Sequence, residues 1–86
     1  MTGALATTWK ESLLGLPLAR RETEVLIALA AGKTSKQIAG ELRVSLSTVK
    51  NHRASVLAKL GAESAAHAVA IAIARELIRA PRGSGA

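Results

Sequence analysis

The sequence predicts an all-α fold: a four-helix domain whose two middle helices are closely coupled. Three observations carry that reading. Apolar residues recur at three- and four-residue spacing in separate stretches, the period of a one-sided helix. Ser, Thr and Gly stand at the ends of those stretches, where helices start and stop. No stretch alternates apolar and polar residues convincingly enough to be a strand candidate.

Residues 1–17 read as an N-terminal extension. Its first seven residues show no periodicity. Thr8-Trp9-Lys10-Glu11 then fits a capping box, and Trp9, Leu13 and Leu16 form a short apolar stripe, so a short helix is expected near residues 8–14. Gly15 and Pro17 end it. The domain proper spans 18–79. Its first helix runs from about Arg20 to Ala31 around Val25, Leu26 and Leu29, with Gly32 as a left-handed cap. The second starts at Thr34 or Ser35, buries Ile38, Ala39 and Leu42, and ends near Arg43. After a very short turn comes the third, over about 46–60, capped by Ser45 and closed by Gly61. Its buried stripe is Val49, Val56 and Leu60, flanked by Leu46 and Leu57. The fourth is capped by Ser64 and runs to about Ile78 or Arg79, where Pro81 stops it. Residues 80–86 read as a disordered tail.

Composition excludes several function classes. A chain of 86 residues buries only a modest core. It has no Cys, so it has no disulfide framework and no Cys-type zinc site. His52 and His67 cannot hold a metal by themselves, and no cofactor is called for. The N-terminus lacks the pattern of a signal peptide. The apolar run Ala68 to Ala74 is far too short to span a bilayer. By default the protein is expected in the cytoplasm, with no membrane partner. Trp9 is the only aromatic residue, which argues against a base-stacking surface for single strands. With no Asp, no Cys and no Ser–His–carboxylate spacing, an enzyme is not expected.

The charge is uneven. Formal net charge is +6. Lys33, Lys36, Arg43, Lys50, Arg53 and Lys59 face a lone Glu41 in the middle of the chain, so that stretch carries nearly the whole excess. A basic middle with a near-neutral surround is the electrostatic footprint of a polyanion-binding protein. A solubilising scatter of charge is the competing reading. Glu22 and Glu24, in the first turn of helix one, complement the helix dipole. Either can also hold Arg53 or a lysine in an ion pair.

The stretch VSLSTVKNHRASVLAKLG, from Val44 to Gly61, adds a geometric signal. On the wheel its outward face is Ser47, Asn51, Ala54 and Ala58, with Thr48 and Lys50 on the flanks. An ordinary solvated face carries Glu and Lys pairs at four-residue spacing. This face is short-chained instead, which suits close approach to another molecule. Two short helices joined by a tight turn need a small residue at the crossing and an apolar plug, and Ala39 and Val44 supply them. Val49 packs back onto the first helix. This is the helix-turn-helix pattern, in which the second helix enters the major groove of DNA. There, Lys50 is suited to guanine acceptors and Asn51 to adenine. Short Ser47 lets the backbone come near phosphate, where free helix N–H groups are available. Arg53 falls near the apolar stripe, with its stem on the core and its tip free for a carboxylate or phosphate.

These residues resemble a known family. The segment RRETEVLIALAAGKTSKQIAGELRVSLSTVKNHRASVLAKLGAESAAHAV is similar to the LuxR/FixJ/GerE-type DNA-binding domain. The matching pieces are Arg21-Glu22, Glu24-Val25-Leu26, Gly32, Lys36, Ile38-Ala39 and Leu42. They continue with Val44-Ser45, Thr48-Val49-Lys50, His52-Arg53 and Lys59-Leu60-Gly61. HRASVLAKLGAESAAH most resembles the output domains of two-component response regulators. The resemblance implies a four-helix transcription regulator that binds double-stranded DNA, usually as a homodimer through its last helix. It implies base reading by Lys50 and Asn51, and phosphate contacts from Lys36, Thr48 and His52. At position 54 it implies a base contact, which Ala54 limits to apolar contact with a thymine methyl. The chain departs from the family at Ala19, where a Thr cap is usual and its loss costs roughly 1 kcal/mol. It also departs at Ser35, a frequent Asn position, and at Ala65, often Arg. RNA polymerase is a further candidate partner of such a regulator.

The last helix carries two apolar stripes. Val69, Ile73 and Leu77, with Ala66 and Ala70 beside them, suffice to pack on the domain. His67, Ile71, Ala74 and Ile78 lie opposite, and a helix apolar on both sides is usually buried on both sides. A homodimer through that second stripe is expected. The leading function is thus sequence-specific DNA binding for transcription control, by this domain alone or as the output domain of a longer response regulator. A helical protein-interaction module with incidental basic charge is the alternative.

Overall fold

A computed structural model describes residues 9–80. The ragged start, the Thr8 cap and the tail beyond Ala80 lie outside the described residues. Five helices are present among them: α1 Trp9–Leu13, α2 Arg20–Ala30, α3 Ser35–Leu42, α4 Leu46–Leu60 and α5 Ala65–Ala74. No described residue is in a strand.

Local chemistry sets most boundaries. Thr34 caps α3: its hydroxyl accepts from the Gln37 N–H at 3.1 Å, and Gln37 Oε1 accepts from the Thr34 N–H at 2.8 Å. Ser45 and Ser64 cap α4 and α5 by accepting from the Thr48 and His67 N–H groups. Ala19 has no capping oxygen. The reciprocal half of the box survives, because Glu22 Oε1 accepts from the Ala19 N–H at 2.8 Å. Gly61 closes α4 at φ +68°.

α4 packs against each of the other four helices. It does so between two apolar clusters. Val25, Ile38, Ala39 and Val49 join α2, α3 and α4, with half-buried Val44 and Leu42 packed against them. Leu26, Val56, Leu60, Ala68, Ala72 and Ile78 join α2, α4 and the C-terminal segment. Val25, Leu26, Ile38, Val49 and Val56 are fully buried, and each contributes about 1.5–3 kcal/mol. The plug and crossing residues of the tight turn, Val44 and Ala39, stand where the turn needs them. Leu46 does not belong to the buried stripe: as the first residue of α4 it is 41% exposed.

The end of the last helix corrects the sequence reading. α5 stops at Ala74, well before Pro81. Glu76 adopts φ +59°, so the Leu77 N–H donates to the Ala72 carbonyl at 2.8 Å and the Glu76 N–H to Ile73 at 3.0 Å. A left-handed non-glycine residue costs on the order of 1–2 kcal/mol. The reversal turns Ile78 back into the core, where it is 7% exposed, and its burial offsets that cost. Leu77, expected inside, is 47% exposed. Within α5 the buried positions are Ala68 and Ala72, while Ala66 and Ala70 are exposed. A helix built largely of Ala gives the wheel little contrast with which to set its phase.

Among the described residues no single helix is long and apolar enough to cross a membrane.

Candidate nucleic-acid interface

The candidate surface is the N-terminal half of α4. Ser47, Lys50 and Asn51 are exposed, and Ala54 is half-buried. Their spacing places them on one face of the helix. At its start, Ser45 Oγ lies 2.8 Å from Thr48 Oγ1 and 3.2 Å from Ser47 Oγ. The cap therefore gathers three hydroxyls at the electropositive end of α4.

The outward face is shorter than the wheel suggests. Ala58 is 8% exposed; α1 packs against α4, and its Lys10 lines a cleft beside Ala58. Periodicity within α4 gave no sign of that neighbour, which comes from a segment distant in sequence.

Ion pairs sort the basic residues. Lys33 Nζ lies 2.8 Å from Glu41, and Lys59 Nζ lies 2.7 Å from Glu22. Glu24 holds Arg20 and Arg21 at 3.5 and 3.0 Å. Lys36, Arg43, Lys50 and Arg53 have no ion pair among the described residues. Lys36, Arg43 and Lys50 are exposed. Arg53 is half-buried, and its Nε is buried without a hydrogen-bond partner. Its stem lies against the protein as expected, but neither Glu22 nor Glu24 takes its head.

Glu22 anchors Lys59, the lysine alternative of the sequence reading. Burial raises the Glu22 pKa, but this is outweighed by hydrogen bonds from Lys59 and the Ala19 N–H and by the charges of Lys59 and His52. The carboxyl is held below its ordinary value near 4.5. His52 is half-buried. His67 is exposed, and its Nδ1 accepts from the Glu63 N–H at 3.1 Å, which fastens the start of α5. Ala74 is exposed and Ile71 is half-buried against the core. Ile78 is core and cannot serve a dimer surface.

In the sequence Arg43 stands out only as part of the basic stretch. It occupies the turn between α3 and α4 at φ +58°, ψ +46°. Exposed Leu46 at the first turn of α4 is a second residue of this surface that the apolar pattern misassigned. No group of three or more His, Cys, Asp or Glu among the described residues can hold a metal ion.

Two capped helices joined by a tight turn, the second with a short-chained face and free cations around it, define a helix-turn-helix domain. Residues 16–72 match the family described as "Bacterial regulatory proteins, luxR family", and the chain belongs to it. It is 47% identical over 57 residues to the transcriptional regulatory protein FixJ of Rhizobium meliloti (strain 1021), covering 66% of this chain and 28% of that protein. It is 42% identical over 66 residues to the transcriptional activator protein EsaR of Pantoea stewartii subsp. stewartii, covering 77% and 26%. With the spore germination protein GerE of Bacillus subtilis (strain 168) it shares 44% over 52 residues, covering 60% and 70%. The chain thus spans under a third of the length of FixJ and EsaR.

Proposed function

We propose that this domain binds double-stranded DNA sequence-specifically and thereby regulates transcription, with α4 in the major groove. The observation that carries the reading is the exposed stripe of Ser47, Lys50 and Asn51 beside Ala54. It lets the helix backbone approach base edges while Lys50 and Asn51 supply donors. Ala54 offers a methyl contact to thymine. Lys36, Ser47, Thr48, His52 and Arg53 bind phosphate and fix the register. Arg53 has no ion pair among the described residues, which supports that role for its guanidinium tip.

A homodimer places two such helices on neighbouring half-sites. The surface that supports it is the outer side of α5, with Ala70, Ala74 and His67 exposed and Ile71 beside them. RNA polymerase is the partner whose access a promoter-bound regulator controls, and the working compartment is the cytoplasm. The domain does this work alone or as the output module of a longer regulator.

The test is selection from random duplexes followed by salt titration of the enriched sequence. An enriched site, with log affinity falling steeply against log salt, is expected. Lys36→Ala should then flatten the slope by about 0.9 and weaken all duplexes alike. Salt-steep binding without an enriched site would refute sequence reading. The absence of duplex binding would favour a protein-interaction module.

A further inference from the structure

We propose that Lys10 is an additional phosphate contact, gripping the DNA backbone at the lip of the groove that α4 enters; the inference rests on the DNA-binding reading above. α1 precedes the 16–72 span that matches the family, so that match assigns it no role. It is nonetheless fixed in place. The Gly15 N–H donates to the Lys59 carbonyl at 2.9 Å. Lys59 Nζ donates in turn to the Pro17 carbonyl at 3.0 Å and to Glu22 at 2.7 Å. A Cβ on Gly61 would stand 3.1 Å from Leu14 Cδ1. One lysine, through its carbonyl and its ammonium, thus ties the segment after α1 to the last turn of α4.

This anchoring brings Lys10 beside the reading helix. Lys10 lines a cleft with Ala54, Leu57, Ala58, Ala62 and Glu63. Ala54 shares the groove-side stripe with Asn51, which is about 4.5 Å away along the helix axis. The major groove is about 12 Å wide, and a helix with its side chains is about 10–12 Å across. A group flanking α4 near Ala54 therefore meets phosphates rather than base edges. The cleft extends from Ala54 to Ala58, a full turn further from Lys50 and Asn51, and neither of those reading residues lines it.

The charge of Lys10 is available. It has no ion pair among the described residues, and Glu63 across the cleft does not take it. Its Nζ lies over the Trp9 ring, 5.8 Å from the centroid. A ring face steadies an ammonium without neutralising it.

The experiment uses the full chain, the selected duplex with several base pairs of flank on each side, and the variants Lys10→Ala, Lys10→Arg and Lys10→Glu. Lys36→Ala serves as the control. Loss of one phosphate contact should cut the salt slope by about 0.9 and weaken binding about fivefold near 0.15 M salt. Lys10→Arg should bind as wild type, and Lys10→Glu more weakly than Lys10→Ala. Trp9, the sole tryptophan, should change its emission when duplex saturates the protein. If Lys10→Ala keeps the wild-type slope while Lys36→Ala loses its unit, the inference fails and the DNA-binding reading stands. Tighter binding by Lys10→Glu would make α1 an obstruction and overturn the inference, as would unchanged Trp9 emission at saturation. Salt-independent binding, or none, by the wild-type chain would overturn the underlying reading instead.

Discussion

The Glu22–Lys59 pair is the place where one substitution should cost most without touching the apolar core. Both side chains are nearly buried, at 10% and 12% exposure, with 2.7 Å between Nζ and Oε1. Lys59→Met removes the bonds to Glu22 and to the Pro17 carbonyl. It leaves the carboxylate nearly buried, with the Ala19 N–H as its remaining partner. A charged hydrogen bond contributes about 1.5–3 kcal/mol, and an uncompensated buried charge costs more. A loss of about 2–4 kcal/mol is expected, which at 4–8 °C per kcal/mol lowers the melting midpoint by roughly 10 °C or more. Glu22→Gln keeps an acceptor for both donors and should cost only about 1–2 kcal/mol. The pH dependence has a definite sign. Because the folded-state pKa of Glu22 is lowered, its contribution is fully present above its ordinary value near 4.5 and is lost as pH falls through the folded value. Urea titrations of both single variants and the double variant, at pH 7 and down to pH 3, give the coupling energy. Coupling above about 1 kcal/mol at pH 7 that shrinks at pH 3 is expected. Additivity within about 0.5 kcal/mol at pH 7 would refute the reasoning.

Lys50→Ala should lower the preference for the selected site over random duplex by about 1–3 kcal/mol; equal losses on both duplexes, in competition binding, would make Lys50 a phosphate contact only. Arg43→Gly should raise stability by about 0.5–1 kcal/mol, because relief of the left-handed conformation exceeds the entropy glycine adds to the unfolded chain; a lower urea midpoint would show that the Arg43 side chain contributes more than its backbone costs. Ala70→Glu should leave helical circular dichroism intact, shift sedimentation to monomer and weaken a two-half-site duplex more than a single one. Ile71→Glu should instead destabilise the fold, since Ile71 packs on the core; a mutant as stable as wild type would contradict that packing.

What was legible in the sequence was local. Thr34, Ser45, Ser64 and Gly61 fix helix ends through bonds to residues three or four positions away, so the sequence alone places them. The spacing of Ile38, Ala39, Val44 and Val49 encodes the second cluster equally well. What was missed or stayed open has its physical origin in distant contacts. Ala58 is buried although its spacing puts it on the outward face, and the choice between Arg53 and a lysine for Glu22 is settled by Lys59, 37 positions away. Ile78 is buried because Glu76 accepts a left-handed conformation with no glycine to advertise it. The family resemblance covers the helix-turn-helix and says nothing of Lys10.

The most direct test of the central claim is an amide chemical-shift map of the full chain titrated with the selected duplex. The largest changes are expected at Lys36, from Ser45 to Ala54, and at Lys10, with no movement in the cleft that Ile27, Ala28, Ile38 and Leu42 line between α2 and α3. Changes centred on that cleft, with Ser47, Lys50 and Asn51 silent, would contradict the claim.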